Sequence, residues 1–432
     1  MTALLYLVGV LGILLGLAIS IALHECGHMI PARRFGVRVP QFFVGFGRTV
    51  WSRHRNGTEY GVKAFPLGGF VKIIGMLPPE DERPGAAAKE SGFGRLIADA
   101  RAAEAELLIP EDEGHLFYQL PWWKKVIVMA GGPTVNLVLA FGMFSALFWF
   151  HGVTEPTTTV GSVADCVVAV RADQPELKAC RSSDPEAPAK VAGIRKGDRI
   201  VAFGSTTITS YAQLQKLIRA NGARTVFITV ERDGRQQILR ARTAVNVLPS
   251  LTDAHVSVSV GYLGIVPTEA QSAKSPLYTL GQMGGYTRDT ASALVHLPVR
   301  LWGVAKAAVG LQKRDPNSPI SVVGVGRIAG QYAADKQVSN GDKVAFVVSL
   351  LAGVNLFLGM FNFVPLLPLD GGHIAGALYE ALRRGWARVR GRPDPGHFDV
   401  ARLLPVAYVT AGLLLVMTVV LVYADIVHPV SA

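Results

Sequence analysis

The chain has 432 residues, half of them hydrophobic and 17% charged, with mean hydropathy +0.32. That balance fits an integral membrane protein carrying some soluble mass. A net charge of +11 would suit a nucleic-acid binder, but four long apolar runs set that class aside. Ala3–Leu23, Val126–Phe150, Val344–Val364 and Leu403–Ala424 each reach the roughly 20 helical residues needed to cross a bilayer core.

No Lys or Arg precedes the first run, so it reads as a retained span and not as a cleaved signal peptide. It closes on His24-Glu25-Cys26-Gly27-His28. Residues four apart on a helix share one face, so His24 and His28 can offer imidazole nitrogens to one metal ion, with Glu25 beside them as a general base. A carboxylate and two imidazoles at the end of a span are costly unless they have a task. Pro31 is expected to end or kink the helix.

Glu59–Phe65 and Phe70–Ile73 read as two short strands about the turn Pro66-Leu67-Gly68-Gly69, a hairpin at 59–73. It is either a plain surface hairpin or a membrane-dipping one whose edge pairs with an extended substrate. Residues Pro78–Glu113 have the composition of a partly helical, partly flexible insertion. The second span opens with Gly131-Gly132-Pro133-Thr134-Val135-Asn136, small residues that suit close helix packing, with an Asn that needs a polar partner in the membrane.

From Thr158 to Ala244 the pattern is that of a small soluble domain: a short amphipathic helix at Tyr211–Asn221, and strands Thr225–Glu231 and Gln237–Thr243 about Asp233-Gly234. It suits a peptide-binding module. Cys166 and Cys180 lie in this region, and a disulfide or two buried thiols both remain open. Ser275–Leu311 suggests amphipathic helices on a membrane surface, and Ser318-Pro319-Ile320 to Ile328 a Gly- and Val-rich loop.

The third span carries Asn355 and runs into Asn362-Phe363-Val364-Pro365-Leu366-Leu367-Pro368-Leu369-Asp370-Gly371-Gly372-His373. Arg33, Arg34, Arg38, Lys124 and Lys125, together with Arg383, Arg384, Arg388, Arg390 and Arg392, assign the loops after the first and third spans to the cytoplasm. Both termini and the long 151–342 segment then lie outside. Asp370 emerges at the same leaflet as His24 and His28 and is the third metal ligand expected of a catalytic zinc, with His373 its rival.

Together these residues resemble a site-2 protease of the bacterial regulator-of-sigma-factor (RseP-type) branch, with motif wording similar to actinobacterial members. The resemblance rests on the metal motif, Val44-Gly45-Phe46-Gly47, the Pro66–Gly69 turn, Gly132–Asn136, Ser318–Ile320 and the Asn362–Gly371 pattern. It implies an α-helical polytopic membrane protein of four transmembrane helices and a membrane-associated β-hairpin, with an inserted α/β PDZ-like domain. The parts are a first span at 1–30, a cytoplasmic-side segment at 31–125 and a second span at 126–150. The PDZ-like domain covers 155–250, a membrane-surface segment 270–342, a third span 343–373 and a fourth 402–425. The activity implied is zinc-dependent cleavage, in a bacterial cell membrane, of transmembrane segments of pre-trimmed proteins such as anti-sigma factors. Zn2+ goes to His24, His28 and Asp370, the base to Glu25, and substrate handling to Asn362, Pro365, Gly68 and Gly69. The PDZ-like domain is a candidate contact for substrate or adaptor. The alternative is a membrane scaffold with a structural zinc, which would want a fourth protein ligand.

Overall fold

A computed structural model describes residues 2–78, 92–168, 180–181, 183–251 and 256–430. In chain order the elements are helix α1 (Thr2–Arg34), strands β1 (Gln41–Arg55) and β2 (Thr58–Lys72), helices α2 (Gly92–Ala105) and α3 (Trp122–Ala146), and β3 (Val153–Val163). There follow α4 (Pro188–Val191), β4 (Arg199–Phe203), β5 (Thr206–Thr207), α5 (Tyr211–Ala220), β6 (Thr225–Arg232), β7 (Arg235–Arg242), β8 (Ala244–Pro249), β9 (Ser257–Tyr262) and β10 (Ile265–Ser272). The chain closes with α6 (Pro276–Val295), α7 (Leu297–Ala308), α8 (Val322–Ala334), α9 (Asn340–Asn362), α10 (Asp370–Val389) and α11 (Leu404–Val427). Two compact units result, Met1–His151 with Lys274–Ala432, and Gly152–Ala273.

Among the described residues of the first unit four helical stretches are long and apolar enough to cross a membrane: Ala3–Arg34, Trp122–His151, Asn340–Asn362 and Val400–Val427. Of the expected end or kink at Pro31, the end does not occur: the first helix runs on to Arg34, with Gly36 beyond it at φ +86°. A helical proline frees the carbonyl four residues earlier, here that of Gly27. That carbonyl lies against α3, so closely that a Cβ on Gly131 would stand 1.9 Å from it. Packing between α1 and α3, not the local ladder, carries the helix past the proline.

β1 and β2 meet at Asn56-Gly57, both at positive φ, the pairing that favours a tight hairpin turn. The expected 59–73 hairpin is thus replaced by a larger one. Glu59–Phe65 and Phe70–Ile73 do not pair with each other; the start of β1 lies between them. Phe42 faces both Tyr60 and Val71, Phe43 both Gly61 and Phe70, and Val44 both Val62 and Gly69. Sequence reading favours the nearest partner, and here Gln41–Val44 offers two edges to two stretches of β2.

The Ser318–Ile328 loop is also corrected: from Val322 it is helix α8, capped by the Ser321 hydroxyl. Its glycines and alanines are packing residues. A Cβ on Gly9 of α1 would lie 2.7 Å from the Ala329 carbonyl, and one on Gly330 would lie 2.7 Å from the Tyr6 ring. Ahead of α8, Arg314 donates to Ser318 Oγ and the Pro319 carbonyl and pairs with buried Asp425 of α11 at 2.6 Å. Of the insertion, 79–91 lies outside the described residues. The rest contains α2, which Arg101 ties to Asp399 at 2.7 Å. Ser275–Leu311 contains the expected helices, α6 and α7.

The second unit is a sheet in the order β10-β3-β4-β6-β7, with β5 paired to β4, and a separate β8–β9 pair. Ile200, Leu214, Ile228 and Val230 fill its core, and Ser210 caps α5. Asp233-Gly234, both at positive φ, turn β6 into β7 as their sequence suggests. Cys166 and Cys180 form a disulfide with Cα atoms 5.9 Å apart.

A buried ion pair fixes α10 against the start of α3: Lys125 Nζ lies 2.8 Å from Glu380 Oε2, which also accepts the Phe398 backbone N–H. Burial pushes the Glu380 carboxyl up, but His397, Lys125 and the Phe398 N–H together draw it down from 4.5 to about 2. A depressed carboxyl stabilises the fold above its unfolded value, and that contribution fades as pH falls through the folded one. Glu380→Gln leaves the Lys125 charge buried and unpaired, at a cost of about 3–5 kcal/mol at neutral pH. Thermal unfolding of the purified protein should show a lowered midpoint, with the gap to wild type closing between pH 4.5 and about 2.

Candidate metal centre

His24 and His28 stand one turn apart near the end of α1, both buried. The His28 ring is fixed by its Nδ1, 2.8 Å from the Val128 carbonyl of α3. A carbonyl only accepts, so Nδ1 carries the proton and Nε2 presents a lone pair. That Nε2 lies 3.2 Å from Nε2 of His24, and each is 3.4 Å from Oδ2 of Asp370. Donor atoms about 2.1 Å from one ion in a tetrahedron stand about 3.4 Å apart. The three spacings therefore fit one tetrahedral ion, and these are the residues among those described that could hold it.

Glycines make the approach possible. A Cβ on Gly132 of α3 would sit 2.3 Å from Nε2 of His28 and 2.7 Å from Nε2 of His24. Asp370 opens α10, and the chain before it folds back tightly. A Cβ on Gly371 would lie 2.2 Å from the Val364 carbonyl, and one on Gly372 would lie 2.7 Å from the Leu367 nitrogen. Burial alone would raise the Asp370 carboxyl, but the two imidazoles beside it hold it well below the usual carboxylate range.

The triangle opens into a cavity of about 520 Å³ shared by Glu25, Gly68, Gly69, Phe70, Val71 and Asn362. Glu25 is buried and within hydrogen-bonding reach of the Val71 backbone N–H. Gly69 lets β2 lie this close, since a Cβ there would stand 2.9 Å from Ile21 and 3.2 Å from the Glu25 side chain. His373 lines the same cavity outside the triangle, and burial pushes it down to about 4, which leaves it neutral at pH 7. Pro365 is placed elsewhere, in a second cavity of about 280 Å³ with Tyr379 and Phe398. The Val128 carbonyl and the Val71 N–H went unnoticed in the sequence, because backbone groups carry no residue signature. Gly132 was visible, but only as a packing glycine.

Three convergent donors with a carboxylate at their side, at the end of an apolar span, are the donor set of a membrane-embedded metal-dependent hydrolase. Residues 12–392 match the model of peptidase family M50. The chain is 34% identical over 436 residues to the zinc metalloprotease Rip1 of Mycobacterium tuberculosis, covering 98% of each protein. It is 34% identical over 443 residues to Rip1 of Mycolicibacterium smegmatis, again covering 98% of each. With metalloprotease MmpA of Caulobacter vibrioides it shares 26% identity over 394 residues, 88% of each. The chain belongs to peptidase family M50, the site-2 protease family.

Gly132→Ala tests whether the glycine cradle is required. The added methyl group would displace both imidazoles, so purified protein should lose most of its bound metal while still inserting into the membrane. Metal content equal to wild type would show that the cradle is dispensable.

Proposed function

We propose that the protein is an intramembrane zinc metalloprotease that cleaves transmembrane segments of pre-trimmed single-pass proteins, with anti-sigma factors as the substrate class. The observation that carries this reading is the His24–His28–Asp370 triangle, whose edges suit one tetrahedral zinc and which shares its cavity with Glu25. When bound, zinc supplies Lewis acidity toward a carbonyl and a water. Glu25 takes the proton of the attacking water on its carboxylate and returns it to the leaving amine.

A peptide bond in a transmembrane helix must first be unwound, because its carbonyl is held in the helical ladder. Gly69–Lys72 is the stretch that receives the unwound strand. Among the described residues it pairs with β1 on one side only, and Gly68 to Val71 border the cavity. Edge pairing would bind the substrate through its backbone, which suits a protease that reads unwinding more than sequence. Asn362, at the end of α9, offers an amide to the same strand. Pro365 acts at one remove, through the turn that leads to Asp370.

In this reading the metal centre opens toward the cytoplasmic leaflet, as the basic loops suggest. The second unit is a PDZ-like domain outside the membrane, with its disulfide suited to an oxidising compartment. Substrate or adaptor contact is its role.

Two substitutions separate base from ligand. Glu25→Ala should abolish cleavage of a reconstituted transmembrane substrate, with zinc still stoichiometric by metal analysis. Asp370→Asn should lower zinc content together with activity. Retained cleavage in the first would sink the mechanism; a zinc-replete Asp370→Asn, with zinc lost in His373→Ala instead, would reassign the third ligand.

A further inference from the structure

Metal-bound histidines are aimed by what their second nitrogen bonds to. His28 has the Val128 carbonyl, whereas Nδ1 of His24 is buried with no hydrogen-bond partner among the described residues. Two more orphans lie nearby. Asn136 of α3 is fully buried with neither amide atom bonded, and Asn355 of α9 is fully buried with its Oδ1 free of partners. The Nδ2 of Asn355 donates to Ser20 Oγ at 2.9 Å and to the Leu351 carbonyl.

The register of the three helices brings these groups to neighbouring turns of the bundle. α1 and α3 run antiparallel, since His28 meets Val128, Gly27 meets Gly131 and His24 meets Gly132. One further turn along each helix brings Ser20 and Asn136 to the same level by register. Asn355 is bonded to Ser20, and Gly359 one turn on packs against Pro133 and Leu137, so α9 lies against both helices over these turns. Helical side chains lean toward the N-terminus, so the His24 ring lies over the turn of α1 that carries Ser20, with its Nδ1 buried and without a partner among the described residues. Four polar atoms without partners, buried within a bundle that crosses a membrane, are costly unless something joins them. An ordered water needs two to four polar partners, which this set provides.

We propose that Asn136 and Asn355 are positioning residues that, with Ser20, hold an ordered water against Nδ1 of His24 and so fix the tautomer that points Nε2 at the metal. The water accepts the Nδ1 proton and donates to the amide oxygens. The inference rests on the metal-site reading above, and its test separates the two.

The readout is zinc affinity of the purified full-length chain, measured by competition with a chelator, together with the visible spectrum of the cobalt-substituted protein. Asn136→Leu keeps the bulk and removes both polar atoms. It should weaken zinc binding about 10- to 100-fold and shift the cobalt bands, while Asn136→Ser, which keeps a hydrogen-bonding group, should restore most of the affinity. Asn355→Leu reads the same network from α9, so a single variant that fails to insert does not decide the matter. Wild-type affinity and spectrum in both leucine variants would overturn the proposal, as would a serine variant no better than leucine. Zinc bound by wild type and lost in His24→Ala upholds the metal-site reading in either case. A wild type that binds no zinc ends both.

Discussion

The close crossing of α1 and α3 is the contact on which the site depends. At Gly27 and Gly131 the two backbones come so near that no side chain fits between them, and at Gly132 the space a side chain would take is filled by the two imidazoles. Three consequences follow from that one approach. The Val128 carbonyl reaches His28, the Gly27 carbonyl freed by Pro31 finds a packed surface, and both imidazoles turn their Nε2 atoms to one point. Inside a membrane, where apolar side chains gain little by leaving lipid for protein, small residues and dispersion are what hold helices together. The same glycines that supply packing therefore set the geometry of the candidate metal centre.

The third donor arrives from a different direction and is secured at two ends. Gly371 and Gly372 allow the chain after α9 to fold back on itself, which sets Asp370 at the first turn of α10. Further along, Glu380 is clamped to Lys125, so α10 is tied to the helix that cradles the histidines. Proteolysis inside a membrane asks for a metal site that stays assembled while a neighbouring strand comes and goes. Here the histidine helix is held by backbone contact, the aspartate helix by a buried ion pair, and β2 is brought beside Glu25 through Gly69. Among the described residues Gly69–Lys72 pairs with β1 on one side only, while the three side chains behind it are held in place.

The chemistry was legible in the sequence because its signals are local. His24, Glu25 and His28 share one helical turn, and the period of a helix decides that two imidazoles face the same way. Asp370 could be joined to them only through an argument from spans and charge, since topology alone brings two distant helix ends to one leaflet. Helical runs were readable for the same reason, as length and hydropathy are properties of a single segment. Asp233-Gly234 was readable too, because a tight turn is decided by two residues.

Sequence alone thus determined a membrane protein of four apolar spans with a metal motif and an acidic partner for it. Tertiary structure decided what depends on two segments meeting. Pro31 does not end its helix, because α3 supports it. The glycines of α8 are helix contacts instead of loop residues, since their use depends on what lies opposite. β2 pairs through both its stretches with β1, because strand edges are satisfied by whichever backbone is near in space and not in sequence. The second bond of His28, to a carbonyl 100 residues away, has no local signature. A residue's identity fixes which bonds it can make, and the fold fixes which partner is there to make them.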